Sequence, residues 1–149
     1  MISTDSKTNI QANIQTNIIN HTDSKILNNI SSNACKLAVQ EAQNMKGQDI
    51  ILLDVAQLTP LSDYILIITG TSSTHCKAIT ENIRVEAKKN EHYILGFESD
   101  PQAEWSLIDL GDVIIHVMQE NAREYYALEK LWRISLDKAE VNRDTSHQI

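Results

Sequence analysis

No apolar run in the 149-residue chain approaches the roughly 20 residues needed to cross a bilayer, so no transmembrane helix is expected. The first residues lack a charged-then-apolar leader pattern, and no arginine occurs before Arg84, so neither a secretory signal nor an organelle transit peptide is predicted. Cysteine is limited to Cys35 and Cys76, too few and too far apart for a disulfide framework or a zinc knuckle. The expectation is a reduced, cytoplasmic protein with no membrane contact. Basic residues are also short: 13 Lys and Arg stand against 20 Asp and Glu, a formal net charge of −7. Phosphate backbones are held mainly by Lys and Arg, so a broad nucleic-acid surface is not expected and direct nucleic-acid binding should be slight.

What is present fits one small domain. Residues 1–25 are rich in Asn, Gln, Thr and Ser, and read as a disordered or weakly ordered extension. Residues 26–134 carry the periodic segments, and residues 135–149 read as a polar flexible tail. From Ile26 to Met45 apolar residues recur at three- and four-residue spacing, which predicts a helix stopped at Gly47. Cys35 should pack beside that stripe. DIILLDV (49–55) and YILIIT (64–69) are short apolar runs of the kind found in buried strands, separated by the breaker Pro60. GTSS (70–73) then opens a helix running to about Asn90. A strand is predicted from His92 to Phe97, followed by an acidic loop containing Pro101. A last helix runs from Glu120 to about Trp132, with Tyr125, Leu128, Leu131 and Trp132 inward and both Tyr125 and Tyr126 read as core. The order α-β-β-α-β-β-β-α predicts a mixed α+β (α/β) domain: a mixed five-stranded sheet flanked by helices.

The stretch WSLIDLGDVIIHVM (105–118) organises the second half. Period two puts Trp105, Leu107 and Asp109 on one face of its first strand, and Ser106, Ile108 and Leu110 on the other. Gly111 marks the turn. A Leu110-Gly111 loop of type I′ would force Leu into positive φ, so a bulged or slightly longer turn is expected. The hairpin lies in the acidic part of the chain: from Glu91 to Glu129 nine acidic residues face one base, Arg123. An acidic surface of this kind is ordinary and aids solubility; it would also speed encounter with a basic partner and repel nucleic acid.

Catalytic arrangements are poorly represented. GTSS lacks both GxGxxG spacing and a GK[ST] ending, and helix capping alone accounts for its Ser and Thr. Asp109 and Asp112 are the only close carboxylate pair in a strand-turn context, but they sit three apart across a turn. His116 shares a strand face with Ile114 and Met118, where a packed, hydrogen-bonded role is expected. His75 and Cys76 are adjacent on a helix and do not face each other. No catalytic residue, metal ligand or cofactor is therefore assigned. Trp105 with Leu107 and Leu110, ringed by Glu104, Asp109 and Asp112, fits either a core residue or an aromatic anchor with a charged rim.

Five ordered blocks carry a resemblance: KGQDIILLDV (46–55), SDYILIITGTSSTH (62–75), LGFES (95–99), EWSLIDLGDVIIHVM (104–118) and REYYALEKLW (123–132). Together they resemble the ribosomal silencing factor, or Iojap, family over roughly Leu27 to Trp132. The resemblance implies a nucleotidyltransferase-like fold without the catalytic carboxylates; no Asp-x-Asp pair follows GTSS here. It implies a non-enzymatic protein that binds the large ribosomal subunit through large-subunit ribosomal protein fourteen. Occupying that site blocks joining of the small subunit and silences translation when nutrients are scarce, as in stationary phase. On that basis Trp105 is expected to be the apolar anchor, with Leu107 and Leu110 beside it and Asp109, Asp112 and Glu98 pairing with basic side chains of the partner. The alternatives are a metal-dependent nucleotidyl-transfer enzyme using Asp109 and Asp112, and a scaffold that forms a homodimer through an exposed apolar hairpin.

Overall fold

The computed structural model describes residues 17–19, 24–128 and 130. The centre of the sheet is β3 (Tyr64–Gly70), buried at every residue. That is why its sequence is a continuous apolar run rather than an alternation. β2 (Gln48–Asp54) lies antiparallel on one side, and β6 (Val113–Gln119) lies parallel on the other. β5 (Trp105–Asp109) pairs antiparallel with β6, and β4 (Gly96–Ser99) pairs antiparallel with β5. These are the five expected strands, and the sheet is mixed.

A sixth strand, β1 (Asn17–Ile19), pairs antiparallel with β2 and completes the order β1-β2-β3-β6-β5-β4. Within the stretch 1–25, expected to be a disordered or weakly ordered extension, residues 17–19 thus form a strand and residues 24–25 are helical. An open edge of β2 offers unpaired backbone groups, and two consecutive isoleucines suit the partner strand. The remaining residues up to 23, other than 17–19, lie outside those described, as does the polar tail expected at 135–149.

The first predicted helix is two. α1 (Ser24–Asn29) ends before Ile30, and α2 (Asn33–Asn44) begins after the N-cap Ser32, whose hydroxyl accepts the Cys35 N–H at 3.2 Å. Ser is a favoured cap because its side chain satisfies one of the donors left free in a first helical turn. At the other end, Lys46 takes the left-handed conformation (φ 59°). Gly47 is required for a different reason: a Cβ there would stand 2.6 Å from Ile68 Cγ2. α3 (Ser73–Lys89) is capped by the Ser72 hydroxyl. Its exit consumes the residues expected to start a strand: Glu91 adopts φ 61°, and the His92 N–H reaches the Ala87 carbonyl at 2.8 Å. β4 consequently begins at Gly96 rather than His92.

Helices α2 and α3 cover one face of the sheet. Ala38, Val39, Ile79 and Ile83 pack there with Leu52, Leu66, Ile68, Ile108 and Ile115. The other face holds a smaller cluster: Leu53, Ile65, Ile67 and Met118, with Ala122 from the short helix α4 (Glu120–Tyr126). Among the described residues no helix is long and apolar enough to cross a membrane.

Candidate partner-binding face

The β5–β6 hairpin decides which side chains meet solvent. Along β5, Ser106 and Ile108 are buried under the helices, while Trp105, Leu107 and Asp109 are half-exposed on the opposite face. The turn is tighter than expected. The Leu110 N–H donates to the Val113 carbonyl at 3.0 Å, leaving Gly111-Asp112 as a two-residue loop. Only Gly111 has positive φ (87°), so glycine occupies the one position that needs it, the pattern of a type II′ turn.

Trp105 is fixed by its polar edge and open on its apolar body. Its Nε1–H donates to His116 Nδ1 at 3.0 Å. The acceptor role makes His116 a neutral imidazole carrying its proton on Nε2. His116 is 8% exposed, and burial pulls its pKa down to about 4. Period two explains the meeting: Leu107 is directly opposite His116, and Trp105 is opposite Met118, so all four share one face. Tyr126 of α4 lies against Trp105 with ring centroids 4.5 Å apart and planes at 47°. Tyr125 packs edge-on to Tyr126 and is 82% exposed. Beside these rings runs an open groove of about 580 Å³. Trp105, Leu107, Ala122 and Tyr126 form its apolar lining, and Glu98, Asp100 and Glu104 its acidic part. Glu98 reaches it because β4 pairs in a register that sets Glu98 opposite Leu107.

Three of the six expected contact residues, Trp105, Leu107 and Glu98, therefore converge. Asp109 is on the same face but four residues along the strand from Trp105, roughly 13 Å away. Its Oδ1 accepts the Gly111 N–H at 2.8 Å. Leu110 does not join them: it is buried among the helix-covered core, on the side opposite Trp105. Asp112 sits at the hairpin tip, where its Oδ2 accepts the Ser32 hydroxyl at 3.0 Å. It serves the start of α2 rather than the groove.

The reading of Tyr125 and Tyr126 as core is likewise corrected. α4 turns its inner face at Ala122 and Arg123, and the Arg123 guanidinium donates to the Thr69 hydroxyl at 2.6 Å. Stepping four residues from Ala122 brings Tyr126, not Tyr125, over Trp105. The helix also ends early, at Ala127 with φ 45°. Leu131 and Trp132 lie outside the described residues. Sequence reasoning missed Tyr126 because it grouped Tyr125 with Leu128 on one inward face. Leu128 does pack against the smaller cluster, but it lies beyond the left-handed break at Ala127, so its phase does not carry back into the helix, where Ala122 sets it. It also left Asp100 unassigned, although that carboxylate caps β5 by accepting the Trp105 backbone N–H at 3.0 Å.

The remaining chemical groups are occupied structurally. His75 staples the GTSS loop: its Nδ1 accepts the Thr71 N–H at 2.9 Å, and its Nε2–H donates to the Met45 carbonyl at 2.8 Å. Cys35 and Cys76 are buried free thiols, and burial raises both pKa values, which disfavours the thiolate. Among the described residues no group of three or more His, Cys, Asp or Glu is placed to hold a metal ion.

The family model described as "Ribosomal silencing factor during starvation" matches residues 28–148. Ribosomal silencing factor RsfS of Chromobacterium violaceum is 40% identical over 97 residues, covering 65% of this chain and 80% of that protein. Ribosomal silencing factor RsfS of Bacillus subtilis is 37% identical over 97 residues, covering 65% of this chain and 82% of its own length. A crystal structure of a Chromobacterium violaceum protein superposes with a TM-score of 0.64 at 39% identity, covering 66% of this chain and 82% of that one. The chain belongs to the ribosomal silencing factor family.

Proposed function

We propose that this protein binds the large ribosomal subunit through large-subunit ribosomal protein fourteen and blocks joining of the small subunit by occupying its place. Translation would fall under nutrient limitation, in the cytoplasm, with no catalytic step. The observation that carries this reading is the groove beside Trp105 and Tyr126, edged by Glu98, Asp100 and Glu104. Aromatic rings that are already held in place bind with little further loss of side-chain freedom, and a carboxylate rim attracts the Lys- and Arg-rich surface of a ribosomal protein. The same rim repels ribosomal RNA, so a protein rather than an RNA contact is favoured.

Docking is then a surface event. Trp105, Leu107 and Tyr126 exclude water at the centre, and Glu98 and Glu104 steer the approach. Asp109 is at the margin of this surface, and neither Leu110 nor Asp112 takes part. The test is cosedimentation of the purified protein with isolated large and small subunits, with subunit joining assayed in parallel. Selective binding to the large subunit with inhibited joining is expected. Absence of binding to either subunit at moderate salt overturns the reading.

A further inference from the structure

The two edges of the sheet are protected differently. β4 protects itself. It is only four residues long, carries Glu98, and runs directly into Asp100 and Pro101, so it offers little backbone for another strand to pair with. β2 has seven residues, and its middle is the uninterrupted apolar run Ile50-Ile51-Leu52-Leu53. It contains no Lys or Pro, and its carboxylates, Asp49 and Asp54, stand near its two ends. An edge of that composition is a template for pairing with another chain. Here it is filled. Asn17, Ile18 and Ile19 pair with Leu52, Ile51 and Ile50, over the apolar run and not over the charged ends. The segment that does this precedes residue 28, where the match to the family model begins.

We infer that the β2 edge is a strand-pairing surface for a second copy of this chain, and that residues 17–19 occupy it in cis and keep the protein monomeric. The second copy is the fitting occupant because its own β2 presents the same apolar run. Antiparallel pairing of Ile50–Leu53 with its counterpart about a two-fold axis satisfies both edges at once and closes the assembly at two chains. This inference does not depend on ribosome binding.

The experiment compares the full chain with a form lacking residues 1–23 by sedimentation velocity over a range of concentrations. Circular dichroism and a thermal melt report folding in parallel. The full chain is expected to remain monomeric. The truncated chain should melt cooperatively and sediment as a dimer in a concentration-dependent way. A synthetic peptide of residues 12–23, added in excess, should shift it back to monomer. A folded truncated chain that stays monomeric overturns the inference, as does a full chain that dimerises equally well. If truncation prevents folding, the full-length variant Ile18→Pro with Ile19→Pro decides. Successive N–H groups of a strand point to opposite sides, so this pair removes whichever donor faces β2. Self-association stronger than wild type supports the inference, and an unchanged monomer contradicts it.

Discussion

The two faces of the sheet share six strands yet are built on different terms. The helix-covered face is sealed by α2 and α3, and its sheet residues are aliphatic side chains such as Leu52, Leu66, Ile68 and Ile108, all nearly inaccessible. Among the described residues the opposite face has one short helix over part of it and carries Trp105, His116, Thr69 and Arg123, with polar groups joined pairwise. A face that served only to stabilise the domain would gain from aliphatic residues at these positions. Keeping an indole, an imidazole and a guanidinium in defined orientations beside an open groove gives a rigid surface for a partner instead.

Ile108 and Leu107 are neighbours on β5 that point to opposite faces, so they test this contrast most sharply. Ile108→Ala removes a fully buried side chain and should cost about 3 kcal/mol of stability, read from urea unfolding midpoints. If Leu107→Ala costs as much, the two faces are not distinct.

Acid comes next. His116 is buried as the neutral form, so its folded pKa of about 4 lies below the unfolded value near 6.5. Its contribution is complete above pH 6.5 and is lost as pH falls toward 4, because the unfolded chain takes up the proton first. Between pH 7 and pH 4.5 that loss is about 2–3 kcal/mol. Protonation would also put a second donor against the Trp105 N–H. His116→Asn, whose carbonyl can take the place of Nδ1 as acceptor, should flatten this limb of the stability profile. An unchanged acid limb would show that other groups set it.

Smaller effects on folding are expected in the groove, with larger ones on binding. Leu107→Ala should destabilise by about 1 kcal/mol, since the side chain is already half in water. Its affinity for large subunits should nevertheless fall roughly tenfold in cosedimentation. Smallest of all, Glu98→Gln with Glu104→Gln should leave stability within about 0.5 kcal/mol. It should slow association several-fold at low salt and hardly at all at high salt, measured by stopped flow.

The parts of this molecule legible in the sequence are those where one period dominates. β2 and β3 announce themselves as apolar runs, and the alternation in Trp105–Asp109 assigns each side chain to its face. Glu98, expected in the acidic loop, reaches the site because the edge strand runs on to Ser99 and sets it opposite Leu107. What was hidden depends on longer-range geometry. Ser32 divides a helical pattern that looked continuous, and it does so while bonded to Asp112, 80 positions away. β1 is three residues of unremarkable composition, and only the open β2 edge gives it a reason to pair. Tyr125 and Tyr126 both left the core, and Tyr126 rather than Tyr125 met Trp105, because one residue of phase rotates a helix by roughly 100°. Leu110 shows the converse: alternation put it on the face opposite Trp105, and its hydrophobic character alone made it look like an anchor.

The most direct test of the central claim is Tyr126→Ala. Tyr126 is 50% exposed and its ring lies against those of Trp105 and Tyr125 at the surface, so the domain should retain its unfolding midpoint. Affinity for isolated large ribosomal subunits should fall about tenfold or more. A folded Tyr126→Ala protein that binds the large subunit as tightly as wild type would show that the Trp105–Tyr126 face is not the docking surface.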